Sequence, residues 1–128
     1  MSNFLESNAQ FMSVIEDCSE YSQLQEDAAN HLTKAFLLLQ RARRDNRSVS
    51  NYEDLRHEIN PSVSITLNEL SQFETSYVKN SEDIHLLCGM PPPSLRGAQT
   101  NFQEALRMFI AMANKVRHIK QTVAQLQR

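Results

Sequence analysis

Hydrophobic positions in this chain fall into two long runs of alternating three- and four-residue steps. The first passes through Phe11, Val14, Cys18, Tyr21, Gln25, Ala28, Leu32, Ala35, Leu39 and Ala42. The second passes through Leu95, Ala98, Phe102, Ala105, Phe109, Met112, Val116, Ile119, Val123 and Leu126. Every position except Gln25 suits a buried stripe. Side chains that recur every 3.5 residues stay on one face of a supercoiled helix, so each run predicts one helix of a coiled coil. Each seam covers roughly 47 Å at the usual rise per residue, and the stretch between them is long enough to reverse direction. The pattern predicts an antiparallel helical hairpin, with Phe11 near Leu126 and Ala42 near Leu95.

Local signals sharpen the ends. Asn3 and Glu6 have the spacing of a capping box. Pro91-Pro92-Pro93 stops the preceding chain and stiffens the approach to the second helix, leaving Ser94 to cap it. Gln25 reads as either a register-fixing polar layer or a simply tolerated polar residue in the seam, with a SNARE-like central glutamine as the sharper alternative. The middle is mixed and partly irregular. Arg43 to Ser48 reads as a polar exit loop, Tyr52 to Ile59 as a short helix ended by Asn60-Pro61, and Lys79 to Asp83 as a mobile link. Val63, Ile65 and Leu67 alternate with polar residues, which favours a short strand. Leu67, Leu70, Phe73 and Tyr77 are equally compatible with a helix. The fold expected is all-α: a single domain over residues 1–128, with an N-terminal helix at 1–44, a middle segment at 45–93 and a C-terminal helix at 94–128. The scarcity of glycine, present only at Gly89 and Gly97, agrees with long helices.

Charge adds direction. Residues 1–42 carry Glu6, Glu16, Asp17, Glu20, Glu26 and Asp27 against Lys34 and Arg41, whereas residues 94–128 carry six bases against Glu104 alone. Antiparallel pairing brings Glu16, Asp17 and Glu20 toward Lys115, Arg117 and Lys120. Such exposed pairs set orientation more than stability. The overall net charge of −2 gives no reason to expect nucleic acid.

Nothing in the sequence points to catalysis. No phosphate-binding glycine loop, nucleophile elbow or metal-type cysteine spacing is present, and His31, His57, His85 and His118 form no ligand pair at helical spacing. His57 beside Glu58 is best read as a solvated loop residue. The basic run Arg41, Arg43, Arg44 and Arg47 suits a helix C-terminus, with an acidic partner or lipid headgroups as the sharper alternative. No catalytic, cofactor or metal site is expected. Cys18 and Cys88 read as reduced thiols. The longest apolar run, Phe36 to Leu39, is too short to span a bilayer, and the opening residues lack a secretory signal. One surplus stands out. Met12, Ile15, Leu24, Phe36, Leu37, Leu38, Leu106, Met108 and Ile110 widen the apolar stripes beyond what a two-helix seam needs. Either the middle segment folds back over them or another protein does.

Pro92-Pro93-Ser94-Leu95-Arg96-Gly97-Ala98-Gln99-Thr100-Asn101-Phe102 resembles the Pro-x-Ser-Leu-Arg-x-x-Gln-x-x-Phe signature of the coiled-coil assembly factors of the vacuolar proton ATPase. The layout is similar too: Leu38-Leu39-Gln40-Arg41-Ala42-Arg43 at the end of the first helix, Ser48-Val49 followed by Tyr52, then Pro61-Ser62-Val63-Ser64-Ile65. The likeness is sharp over about a dozen residues. Cys88 stands before Gly89 where the family usually has an aromatic residue, and only the short link Asn80 to Asp83 stands where many members carry a charged insert. The resemblance implies a non-enzymatic assembly chaperone. It would bind a membrane-anchored partner factor and help the membrane-sector subunits of the pump assemble. Its expected place is the cytoplasm, peripheral at the cytosolic face of the endoplasmic reticulum, with the intermediate compartment or endolysosomal vesicles as further sites. The implied partner-binding residues are Pro93, Ser94, Leu95, Arg96, Gln99 and Phe102. Of these, Arg96 and Gln99 are expected to face outward and Leu95 and Phe102 to enter the seam. The rival reading is a prefoldin-like or generic coiled-coil scaffold for other clients.

Overall fold

The computed structural model describes residues 2–45, 63–77 and 90–127. In chain order these form helix α1 (Ser2–Asp45), strands β1 (Val63–Leu67) and β2 (Phe73–Tyr77), and helix α2 (Pro93–Leu126). The two helices pack along one another in antiparallel fashion. Contacts fall in number on α2 as they climb on α1: Gln10 meets Gln125, Asp17 meets His118, His31 meets Asn101, and Leu38 lies against Gly97. The predicted hairpin and its direction are therefore present, and a small two-stranded sheet, which falls between the helices in chain order, packs against α2.

The seam differs from the predicted one by half. One row on each helix is as expected: Ala28, Ala35 and Ala42 on α1, and Ala98, Ala105 and Met112 on α2, are buried. The second row is rotated by one residue. Gln10, Asp17, Leu24, His31 and Leu38 are buried or half-buried, while Phe11, Cys18 and Gln25 are exposed. On α2 the same slip brings in Asn101, Met108, Lys115 and Thr122 and leaves Phe109 exposed. Gln25 is thus not a polar layer of this seam. Toward the end of the hairpin where α1 stops and α2 starts, both rows are covered, since Leu95 is buried and Leu32, Leu39 and Phe102 are half-buried.

Alanines dominate the centre. Their small side chains leave little between the two backbones. The result is a thin core: among the described residues no large side chain is completely buried.

The helix starts also differ from expectation. α1 begins at Ser2, so Asn3 lies within it instead of capping it. α2 begins at Pro93 with Pro92 as its cap residue, and no side chain caps its amides. Ser94 is one residue inside. Proline fits the first helical position because its missing N–H has no intrahelical acceptor there and its φ is already helical.

In the middle, the strand expected at Val63–Leu67 is formed. The alternative of a helix through Leu67 to Tyr77 is overturned, because Phe73–Tyr77 pairs antiparallel with it, from Leu67 opposite Phe73 to Val63 opposite Tyr77. Asn68 decides this locally. Its side-chain oxygen accepts from the amides of Leu70 and Gln72, both at 2.9 Å, and its amide group donates to Glu74 at 2.7 Å. The Ser71 amide donates to the Asn68 carbonyl at 3.0 Å, and Ser71 takes the left-handed conformation with φ 60°. This is a three-residue hairpin loop with serine at the position where glycine is usual. The helix expected at Tyr52–Ile59, the exit loop beyond Asp45, the link Lys79–Asp83, and His57, His85 and Cys88 lie outside the described residues.

Candidate interaction surfaces

The stretch from Pro93 to Phe102 forms the first turns of α2 and packs against the last turns of α1. Leu95 is 2% exposed and enters the seam, as expected. Phe102 is half-buried and meets Phe36 edge-to-face, with ring centroids 5.0 Å apart. Arg96 is exposed and Gln99 half-buried. Ser94 is half-buried and makes no cap, while Pro93 is exposed at the helix start. Gly97 allows the close approach: a Cβ there would sit 3.1 Å from Leu38 Cδ1. At the same end of the hairpin Leu37, Gln40, Arg41 and Arg44 line a shallow open groove. Arg44 is bonded to Asp45 at 3.2 Å.

The rotated seam row carries three polar layers. Gln10 Nε2 donates to Gln125 Oε1 at 3.3 Å. Asn101 Nδ2 donates to the Gly97 carbonyl at 2.8 Å, so its Oδ1 is turned toward His31 Nδ1, 2.9 Å away. That network assigns the proton to His31 Nδ1. The third layer is ionic. Asp17 is 7% exposed and lies 2.6 Å from His118 Nδ1 and 3.1 Å from Lys115 Nζ, and Lys115 also bonds Glu20. Burial pushes the Asp17 carboxyl up, but the hydrogen bonds and charges of His118 and Lys115 outweigh it and hold the group below its ordinary value. The hydrogen bond to Glu20, with that to Asp17, raises Lys115 against the opposing effect of burial. The expected pairing of acids on α1 with bases on α2 thus centres on Lys115. Arg117 turns the other way, and no ion pair involves Lys120 or Glu16 among the described residues.

Asn114 and Arg117, one turn apart on α2, clip the sheet to the helix. Asn114 Oδ1 accepts from the Phe73 amide at 2.6 Å and its Nδ2 donates to the Phe73 carbonyl at 3.2 Å, as a neighbouring strand would. Arg117 Nε donates to the Ser71 carbonyl at 2.9 Å, with the guanidinium 5.4 Å from the centre of the Phe73 ring. Ile65, Leu67 and Tyr77, on the same face of the sheet as Phe73, and Leu70 in the loop are nonetheless each at least half exposed.

The polar layers and the clip escape a reading based on hydrophobic spacing, because their residues are polar. A heptad register beginning at Gln10 would have reached Asp17 and His31, but only the partners on α2 make them suitable for a seam. Among the described residues, no group of three or more His, Cys, Asp and Glu could hold a metal ion, and no helix is long and apolar enough to cross a membrane. No family model matches the chain, and no curated protein matches it.

Proposed function

We propose that this chain is a non-enzymatic assembly chaperone for the membrane sector of the vacuolar proton-translocating ATPase. It acts with a membrane-anchored partner factor at the cytosolic face of the endoplasmic reticulum. The observation that carries the reading is the Pro93–Phe102 stretch, which resembles the family signature and lies at the end of the hairpin where α2 begins. There Leu95 and Phe102 join α2 to α1, and Arg96 remains exposed at the end that also bears Leu37, Arg41 and Arg44. Exposed apolar residues at both ends of α1 supply surface for a protein client or partner.

Two experiments test this. Deleting the gene and reading vacuolar or lysosomal acidity should show a loss of acidification with fewer assembled membrane sectors; normal acidity with intact pump levels would remove the reading. Replacing Arg96 by alanine should leave the helical spectrum unchanged and weaken capture of the membrane-anchored factor about tenfold, the loss of one charge-assisted contact. Undiminished capture would remove Arg96 from the interface.

The prefoldin-like or scaffold reading is favoured by one observation, the strand pair that falls between the two helices in chain order. Asn114 occupies the outer side of β2 at Phe73, whereas among the described residues no strand pairs with the outer edge of β1. Such an edge can add a strand from another chain. Recovery of cytoskeletal or trafficking proteins in place of pump subunits would select this alternative.

A further inference from the structure

We infer that the outer edge of β1 pairs with the same edge of a second copy of this chain, joining the two small sheets into one. The backbone decides which groups are available. Asn114 takes both the amide and the carbonyl of Phe73, so these groups are turned away from Leu67, which stands opposite. The next pair toward the loop is bonded, the Asn68 amide to the Gln72 carbonyl at 2.8 Å. Antiparallel pairs alternate between bonded and unbonded. The ladder to β2 therefore uses Ser64 and Thr66, and the amides and carbonyls of Val63, Ile65 and Leu67 point outward. Among the described residues no strand takes them up.

The edge itself identifies the occupant. Val63-Ser64-Ile65-Thr66-Leu67 alternates apolar and polar, and reads the same in both directions about Ile65. Laid antiparallel on itself with full overlap, it sets the two Ile65 residues opposite each other on a two-fold axis and Val63 opposite Leu67 of the second copy. Each outward amide then meets an outward carbonyl. Opposite residues share a face, so apolar side chains lie beside apolar ones and Ser64 beside Thr66. A slip by one residue would set outward backbone groups against inward ones and apolar side chains against polar ones. Charge agrees. β1 carries none, so self-pairing puts no like charges together, and a charged strand of another protein would find no counter-charge on it. Edge strands commonly refuse pairing with a lysine, a proline or a bulge, and Val63–Leu67 has none of these.

The sheet gains from the added strands. Two strands alone are marginal in water, and a wider sheet with an apolar face is more stable. α2 closes the outer edge of β2 at Phe73 but does not reach that of β1, where Ile65 and Leu67 are 50% and 53% exposed. In the pair they lie beside their counterparts, and the apolar face that includes Phe73 and Tyr77 continues across the axis. A strand of 5 residues buries less than a standard interface, so the dimer is a weak one that fills at high concentration.

Sedimentation of the full chain, 14.7 kDa as a monomer, is expected to show a concentration-dependent species of twice that mass. Amide exchange gives the finer readout. As concentration rises, the amides of Val63, Ile65 and Leu67 should slow together, while those of Ser64 and Thr66, already bonded to β2, stay as they are. Ile65→Pro removes an outward amide and no bond to β2, so it should weaken the dimer about tenfold or more with Ser64 and Thr66 still protected. Ile65→Lys keeps the amide but sets two cations opposite each other on the axis; it should weaken the dimer by about tenfold, in part recovered at high salt. A monomer at every concentration up to the solubility limit would overturn the proposal. So would a dimer indifferent to both Ile65 variants, or one in which the Val63, Ile65 and Leu67 amides exchange as fast as in the monomer. Protection of those amides only on adding another protein would overturn self-pairing and assign the edge to that partner.

Discussion

Gly97, near the start of α2, sits tightly against α1. Its missing side chain leaves room for Leu38, whose Cδ1 would stand 3.1 Å from an added Cβ. Two effects compete there. Alanine in a helix interior is worth about 1 kcal/mol over glycine, and the end of a leucine side chain can move by a few tenths of an ångström. Gly97→Ala should therefore leave the melting temperature unchanged or raise it by a few degrees. Gly97→Leu forces the helices apart and should cost about 1–3 kcal/mol. Thermal denaturation of both variants checks the pair; a large loss in the alanine variant would mean that Leu38 cannot shift. The sequence showed Gly97 only as a member of a motif. Its role as a close-contact point depends on Leu38, which is distant in the chain.

At the scale of elements, the small sheet has too few strands to stand alone in water. α2 supplies what it lacks through Asn114 and Arg117. Asn114→Ala leaves the amide and carbonyl of Phe73 without their partners, and the hydrogen bonds lost are each worth about 1 kcal/mol. Amide exchange at Phe73 should speed up by about tenfold or more, while the helical signal stays intact. Unchanged protection at Phe73 would show that the clip contributes little. The strand at Val63–Leu67 was legible from its alternating pattern. The second strand was not, because Leu67, Leu70, Phe73 and Tyr77 fit a helical period equally well. The decision came from the Asn68 turn and from the pairing partner itself.

The hairpin as a whole is held by a thin alanine core and by polar layers whose members are paired across it. Asp17 ties the acid-rich half of α1 to α2. Its carboxyl titrates below its ordinary value in the folded state, so its contribution is present above the unfolded value of about 3.9 and is lost as pH falls through the folded value. Lys115 is raised, so its contribution is complete below about pH 10.4 and fades only above that. Stability measured by denaturant titration should therefore fall on the acid side of about pH 4, and Asp17→Asn should flatten that fall while lowering stability near neutrality by about 1–2 kcal/mol. An acid limb of the same steepness in Asp17→Asn would show that other carboxylates govern it.

By itself, the sequence determined that two long amphipathic helices would pair, in which direction, and where the first strand would lie. These follow from spacing and from charge written along the chain. Only the tertiary structure decided which of two adjacent rows would face inward. On hydrophobicity, Phe11, Cys18 and Phe109 outrank Gln10, Asp17 and Asn101. A polar side chain can nevertheless be buried when its partner is already placed to bond it, and that partner lies on the other helix, seventy or more residues away in His31–Asn101 and Asp17–His118. The apolar row displaced from the seam lies on the outside of α1.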